Sequence, residues 1–420
     1  MTRVAVVGGG LAGLVAARHL AVAGVDVQLY EREATVGGRV RTTHEDGFTF
    51  DRGFQVLFTA YPAARRELDY AALDLRTFTP GATIARPGHR SVLSDPLRDP
   101  GALTETLFNT DVRLTDKLRT FRLQRELEHE DVDAILSAPD TDIQSYLAER
   151  GFSRQFVENF AAPFYGGITL DRSLGTSSVV FEYTFKMLSA GRIAVPAVGM
   201  SAIPEQVGAR ARDSGASIDT GVTVEAVRPD GDGVTVDLRG ETVAFDAAVV
   251  ATDPASAAEL TGVETPEAAN GCVTQYLSLP DHVPLDTGKR LLLNAVDDAP
   301  NQVAPLSDVA PEYAPDGQQL LSATYLGTPD ATDEELTERT RETLAAWFPV
   351  RNFDELTHLR TERVEFAQFA QPPGFRDTLP AVDAPDGPVY LAGDYTEWSS
   401  INGALESGKR VADAVVDRET

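Results

Sequence analysis

Three glycines in the pattern Gly8-x-Gly10-x-x-Gly13, with an acid at Glu31, have the types and spacing to hold a dinucleotide pyrophosphate. Gly8 permits a sharp turn, Gly10 lets the backbone approach the phosphates, and Gly13 lets a helix pack closely on a strand. Leu11, Ala12 and Gly13 would open that helix, and its unpaired N–H groups and positive dipole end favour an anion. Glu31 can accept both hydroxyls of an adenosine ribose and would repel a 2′-phosphate, which speaks against NADP. This chemistry needs particular elements around it. The apolar, β-branched run ending at Val7 predicts a strand, Leu11 to about Ala23 a helix, and Asp26–Tyr30 a second strand that delivers Glu31 at its end.

Beyond this unit, Tyr61–Leu73 reads as a helix. The chain then becomes Arg- and Leu-rich up to about Arg192, with helices expected near Asp111–Leu127, Thr141–Arg150, Arg154–Phe160 and Ser178–Ala190. In the last of these, Phe181, Thr184, Phe185 and Leu188 form a stripe read as core. A helix is expected over Ala202–Asp213. Strands are expected over Val222–Val227, Val234–Leu238 and Val243–Ala251, with Asp230-Gly231-Asp232-Gly233 as a hairpin turn. Cys272–Leu279, Arg290–Ala295 and Leu320–Tyr325 alternate like half-buried strands, and Thr332 with Glu335 forms a capping box that starts a helix reaching Phe348. The chain closes with a strand over Val389–Ala392, a Gly393-Asp394 turn and a helix from about Ser400 to Val416. The pattern predicts an α/β chain with two interleaved domains. A nucleotide-binding domain would draw on residues 1–75, 196–256 and 381–420, and a substrate domain on 76–195 and 257–380. A cleft is expected where the two meet.

Composition narrows the partners. With 37 basic against 64 acidic residues the formal net charge is −27, and the lysines are only Lys117, Lys186, Lys289 and Lys409. Acids spread along the whole chain suit a salt-rich cytoplasm, where screening removes self-repulsion, and point to a halophilic organism. No basic stripe is read that would neutralise nucleic-acid phosphates. The single cysteine, Cys272, precludes an intrachain disulfide and fits a reducing compartment. The six histidines are scattered without ligand spacing, so no metal site is expected. No apolar run approaches the roughly 18–20 residues of a membrane span, and no targeting segment is read; the expected location is the cytoplasm, with a peripheral membrane contact left open.

Four segments carry a family resemblance: Gly8–Gly13 with Glu31; Val36-Gly37-Gly38-Arg39; Pro196–Met200 with the helix after it and Thr220-Gly221-Val222; and Tyr390–Thr396 with Ser400–Gly408. Together they resemble the flavin-containing amine oxidoreductase superfamily of monoamine oxidases, protoporphyrinogen oxidases and carotenoid desaturases, most closely its phytoene desaturase-like branch. The resemblance implies an FAD-binding Rossmann-like domain of the glutathione-reductase type with an inserted α+β domain of mixed sheet and helices. It implies FAD as cofactor. Gly37, Gly38 and Arg39 would then lie on the diphosphate side, and the Val222 backbone would meet adenine. Asp394, in its Gly393-Asp394 turn, would accept from the diphosphate or ribityl hydroxyls. Amides at the start of the last helix, near Ile401, would point at the flavin pyrimidine oxygen. Gly53, Phe54 and Gln55 would run along the isoalloxazine. Arg32 and Ala251 complete the expected cofactor contacts.

Two departures bear on the reaction. Glu33 stands where many relatives carry a basic residue. The strand Cys272–Leu277 has no lysine where amine oxidases carry one near the flavin, while Lys289 and Lys186 read as solvated surface. The resemblance implies transfer of a hydride equivalent from a substrate carbon to the flavin, the substrate being small, hydrophobic and of isoprenoid or polyene type. Electrons would leave to oxygen or a quinone, since no second nucleotide motif is present. The aromatic and glycine-rich stretch from Gly151 to Ile168 is a candidate pocket wall or domain seal. Arg172, Tyr165 and Tyr395 are candidate flavin neighbours, and no general base is identified. Three alternatives stand beside this reading: an amine or protoporphyrinogen oxidase, a non-catalytic FAD-binding protein, and a nicotinamide-only dehydrogenase.

Overall fold

Val4–Val7 are almost wholly buried because their strand is the middle one of a five-stranded parallel sheet, the setting in which strands read as unbroken apolar runs. The computed structural model describes residues 2–94, 99, 106, 109–297 and 299–419. The strand order is Ser217–Thr220, Asp26–Glu31, Arg3–Val7, Ala247–Val250 and Val389–Leu391. One strand thus separates the two ends of the chain within a single sheet. The first helix, Leu11–Val22, packs on the last, Ile401–Glu419. The contact is so close that a Cβ on Gly408 would lie 2.4 Å from the Ala12 carbonyl oxygen.

The other large sheet is mixed and seven-stranded. Its order is Thr357–Phe369, Ala269–Pro280, Gln318–Leu326, Gln302–Pro305, Leu291–Asn294, Ala82–Arg86 and His89–Leu93. Side chains alternate between its faces. Val273, Leu277 and Tyr325 pack with Leu336, Leu344 and Trp347 of the helix Asp333–Trp347, whose capping box of Thr332 and Glu335 forms as expected. Tyr276 belongs to the core shared with the parallel sheet. The register puts Ser322 opposite Tyr276, Thr324 opposite Thr274, and Gln302 opposite Thr324, so this inner face carries hydroxyls and an amide.

Several expected elements change at identifiable residues. The strand read over Val243–Ala251 divides at Asp246 into Glu241–Phe245 and Ala247–Val250, which join different sheets. Asp246 is held by the Arg3 amide, which donates to its Oδ2 at 2.7 Å. The strand expected over Val222–Val227 begins at Val224 and runs to Asp230, while a separate, unexpected strand over Ser217–Thr220 joins the parallel sheet, the two being parted by Gly221 at φ 74°. The helix at Tyr61 covers only Pro62–Glu67, because Asp69 Oδ1 accepts from the Ala71 and Ala72 amides and closes a turn. Arg154–Phe156 passes through a π turn at Val157–Ala161 into a helix ending at Thr169. Pro163 supplies no N–H there, and the wider turn absorbs the missing bond. Among the described residues, no helix is long and apolar enough to cross a membrane.

Candidate functional site

At the end of the first strand Gly8 takes φ 108°, and a Cβ there would meet the Ala251 carbonyl oxygen at 2.6 Å. Gly13 packs more tightly still, since its Cβ would lie 2.0 Å from the Gly8 carbonyl oxygen. Gly10 is different: a Cβ there has nothing within 4 Å. Gly10 caps the first helix without a side-chain bond, and no acid stands in the first turn, where Leu11 and Ala12 are buried. The turn therefore presents free helix-start amides to open space, the arrangement that receives an anion. A second loop leans on the first. The Gly37 amide donates to the Gly9 carbonyl at 2.8 Å, and Gly38, at φ 60°, faces the Gly10 Cα.

Glu31 is buried beside this turn. Its Oε2 accepts from the Gly9 amide at 2.7 Å and its Oε1 from the Glu33 amide at 2.8 Å. Each oxygen keeps a lone pair that could take a ribose hydroxyl. The Val222 amide donates to the Glu31 carbonyl at 2.9 Å, so only the carbonyl of Val222 could serve an adenine. Arg32 lies at the exposed rim, 3.7 Å from Asp253 and 3.8 Å from Glu33. Glu33, the departure noted above, also faces Arg41 at 3.5 Å.

The two ends of the chain meet at Arg39, whose Nη2 donates to Asp394 Oδ1 at 2.5 Å while its Nη1 donates to the Ala367 carbonyl at 3.1 Å. The Asp394 carboxylate holds the guanidinium pKa above its ordinary value. Ser399 Oγ donates to the other Asp394 oxygen at 3.0 Å, and the Gly393 amide donates to Ser407 Oγ at 2.9 Å. Ile401 then begins the last helix, with the Gly403 amide donating to Ser400 Oγ at 2.8 Å.

Gly53, Phe54 and Gln55 complete the enclosure. Gln55 Nε2 donates to the Arg39 and Arg52 carbonyls, both at 2.9 Å, while its buried Oε1 has no partner. The Tyr276 hydroxyl donates to the carbonyls of Asp51 at 2.7 Å and Gly53 at 3.1 Å, and the Phe54 amide reaches Thr274 Oγ1 at 3.4 Å. The strand noted for lacking a lysine thus supplies hydroxyls to this backbone. Behind it, burial pushes the Asp51 carboxyl up to about 6 against bonds from Thr42 and Met200. Thr324 Oγ1, Ser322 Oγ and the Tyr395 hydroxyl are also buried without partners. Leaving buried polar atoms unpaired is costly. The open space at Gly10, the available Glu31 lone pairs and these unpaired atoms together fit a bound dinucleotide with a polar ring system.

A scan against known families now decides the kinship. The model of the flavin containing amine oxidoreductases matches residues 11–416. The chain belongs to that family. It is accordingly a member of a flavin-dependent oxidoreductase family. Among curated relatives, the zeta-carotene-forming phytoene desaturase of Myxococcus xanthus is 27% identical over 287 residues, covering 60% of this chain and 53% of that protein. Protoporphyrinogen oxidase 2 of Arabidopsis thaliana is 27% identical over 169 residues, covering 39% and 32%. The chain spans about half or less of the length of these curated relatives. An oxidoreductase from Methanosarcina mazei superposes with a TM-score of 0.75 at 19% identity, covering 98% of this chain and all of that one, a likeness of fold.

Thr274, Tyr276, Ser322, Thr324 and Gln302 carry no functional signal in the sequence: the first four lie in expected strands, and Gln302 lies in a strand, Gln302–Pro305, that was not expected. Sequence reading missed Glu397, whose carboxyl burial pushes up to about 7, but that side chain turns to Arg410 at 2.7 Å. Arg172 is committed to packing, donating to Asn301 Oδ1 at 2.6 Å and the Asn294 carbonyl at 2.8 Å. Lys186, read as solvated, instead donates to the Leu127 carbonyl at 2.6 Å and caps a helix end. Asp394→Ala is expected to weaken flavin retention about tenfold or more, the worth of one charge-assisted hydrogen bond. Visible absorbance of the purified protein relative to its protein absorbance measures it.

Proposed function

We propose that the protein is an FAD-dependent oxidoreductase that removes a hydride equivalent from a hydrophobic substrate of isoprenoid or polyene type. In this reading residues 1–75, 196–256 and 381–420 build the cofactor unit, and 76–195 with 257–380 build the chamber over it. Bound flavin supplies the acceptor for the hydride equivalent. The chain's own residues do the rest. The Gly8–Gly13 turn and the first helix would hold the diphosphate, Glu31 would take the ribose hydroxyls, and the Val222 carbonyl would serve adenine. Asp394 would take a hydroxyl of the cofactor while it fixes Arg39. Amides at Ile401 favour negative charge on the ring's pyrimidine edge. Tyr276 and Thr274 hold the backbone at Gly53 and Phe54, which would border the ring.

The observation that carries the substrate class is a file of rings. Phe152 and Phe156 lie with centroids 4.6 Å apart, Phe156 and Phe160 5.5 Å, Phe160 and Phe164 5.2 Å, Phe164 and Tyr165 5.2 Å, and Tyr165 and Phe181 4.6 Å. After Tyr165 the chain runs onto the inner sheet face, where a Cβ on Gly167 would strike Gln302 Oε1 at 2.1 Å. Most of these rings are buried against one another, so the file is an apolar wall and not an open channel, and such a wall suits a long apolar substrate lying beside it. No lysine stands on the facing strand Ala269–Pro280, which weighs against an amine substrate. The acidic composition suits work in a salt-rich cytoplasm.

Anaerobic mixing of the flavin-loaded protein with polyene, porphyrinogen and amine panels tests the proposal. Bleaching of the flavin by polyenes alone is the expected result. Bleaching by amines or porphyrinogens alone overturns it in favour of an oxidase, and bleaching by none in favour of a non-catalytic flavoprotein. Reoxidation by oxygen or by a quinone is read in the same cell.

A further inference from the structure

The inner face of the seven-stranded sheet changes character half-way across. At one level the register aligns Thr274, Thr324, Gln302, Leu293 and Ile84 on successive strands. Two residues along, Tyr276, Ser322 and Ala304 align in the same way. With strands roughly 4.8 Å apart, Thr324 stands one strand from Thr274 and Leu293 about 14 Å from it. Thr274 meets the Phe54 amide, so the polar half lies by the backbone that would border the flavin ring. The apolar half lies by the aromatic wall, because the helix Ala162–Thr169, carrying Phe164 and Tyr165, packs on the strand Leu291–Asn294. Gln302 marks the boundary, its Oε1 accepting from Asn301 Nδ2 at 3.2 Å. Two hydroxyls of the polar half have no partner. Ser322 is fully buried and Thr324 is 2% exposed, and neither Oγ meets a donor or an acceptor. Their neighbours are engaged, Tyr276 with the Asp51 and Gly53 carbonyls and Thr274 with Phe54. The other unpaired atoms of this region belong to other segments, Gln55 bonded to the Arg39 carbonyl and Tyr395 next to Asp394, where the cofactor would account for them.

We infer that Thr324 and Ser322 bind a neutral oxygen, a hydroxyl or a carbonyl, carried by the substrate at its reacting end, so that the substrate is an oxygenated isoprenoid and not a pure hydrocarbon. A hydrocarbon would leave both hydroxyls buried and unpaired, a standing cost that valine and alanine at these positions would avoid. Each hydroxyl both donates and accepts, so an alcohol and a carbonyl are equally served. The head group is neutral because the charges at this end of the row cancel. Arg360 and Glu362, opposite Tyr276 and Thr274 on the edge strand, are bonded to each other. An ammonium or a carboxylate would therefore be buried against hydroxyls alone, which is costly. The apolar body would lie over Leu293 and Ile84, beside the aromatic wall. For that body the inference rests on the substrate reading above; the head group is its addition. A site that bonds a substrate oxygen also rejects the analogue lacking it, since its own polar groups are then left without partners.

Equilibrium dialysis of the flavin-loaded protein in detergent tests the inference without any turnover. The probes are a long isoprenoid alcohol, the aldehyde of the same skeleton and the parent hydrocarbon, each corrected for its partition into empty micelles. Wild type is expected to bind the alcohol, the aldehyde or both about thirtyfold more tightly than the hydrocarbon. The tighter of the two names the oxygen that the site takes. Thr324→Val with Ser322→Ala is expected to bring the ratio to about one, by weakening the oxygenated probes and not the hydrocarbon. Each single change is expected to remove part of the preference, which keeps the test open if the double variant is poorly recovered. The variants should keep wild-type flavin content and melt no lower than wild type, because a methyl group replaces an unpaired hydroxyl. Equal binding of the three probes by wild type, or binding of none, overturns the inference, as does a ratio unchanged in the variants. Loss of flavin or of thermal stability in the variants assigns the hydroxyls to the cofactor or to the fold and also overturns it. Preferential binding of an oxygenated probe that never bleaches the flavin would count against the hydride-removal reading alone.

Discussion

Gly10→Val is expected to give a folded, soluble protein that purifies almost free of flavin. Gly10 sits at φ −73° and ψ 178°, extended backbone that valine adopts without strain. A Cβ there meets no protein atom within 4 Å, so the fold has no objection to it. The branched side chain instead fills the space before the helix-start amides, where the diphosphate would lie. Inserting methyl groups into a matched site costs about 3 kcal/mol, roughly a hundredfold in affinity. Gly13→Val is the contrast. With the Gly8 carbonyl 2.0 Å from its Cβ, that variant is expected to lose the packing of helix on strand and to be recovered unfolded. Flavin-to-protein ratio, titration of the stripped proteins with FAD and circular dichroism separate the two outcomes. A Gly10→Val protein with full flavin content would mean that the diphosphate does not lie on this turn.

The contrast between two glycines of one motif shows what a linear pattern can carry. Gly8, Gly13 and Glu31 were legible because each answers a local demand, a turn, a close packing and a strand end, within one strand–helix–strand unit. The Gly393-Asp394 turn was legible for the same reason. That Arg39 and Asp394 form one ion pair at 2.5 Å could be expected only from family resemblance, because nothing local specifies a contact between opposite ends of a chain. The inner sheet face was hidden differently. Thr274, Ser322, Thr324 and Gln302 are ordinary strand residues one at a time, and their grouping follows from register, which periodicity does not reveal. The run through Asp246 reads as one strand because a β-branched run looks the same whether it stays in one sheet or passes between two. The π turn at Val157–Ala161 was missed because Pro163 reads as a helix stop, whereas here the helix widens and continues to Thr169.

A buried carboxylate outside the site should dominate the response of the fold to acid. Glu67 has a fully buried side chain at the end of the short helix Pro62–Glu67. Arg18 Nη1 lies 2.5 Å from its Oε2, His19 Nε2 3.0 Å and Arg66 Nε 2.7 Å from its Oε1. Burial alone would raise this carboxyl, but the bonds from His19 and Arg66 outweigh it and hold the pKa down to about 2, from an ordinary 4.5. A carboxyl whose pKa is depressed by folding contributes its stability in full above the unfolded value and loses it as pH falls through the folded one. Over this interval the linkage is worth about 3 kcal/mol. Glu67→Gln leaves three cationic or donor groups around a neutral amide, and at pH 7 it is expected to lower stability by about 3 kcal/mol, the usual cost of breaking a buried pair from one side. Between pH 4.5 and 2 the wild type should lose that advantage, because its own carboxyl then becomes neutral. Denaturant titrations of both proteins across this range check the prediction: the gap between them should be constant above about pH 5 and closed near pH 2. Asp51 acts in the opposite sense, since its raised pKa of about 6 makes ionisation between pH 4 and 6 a cost to the folded state. That cost is common to both proteins and cancels in the difference. A gap that persists unchanged at pH 2 would show that Glu67 acts through packing and not through its charge.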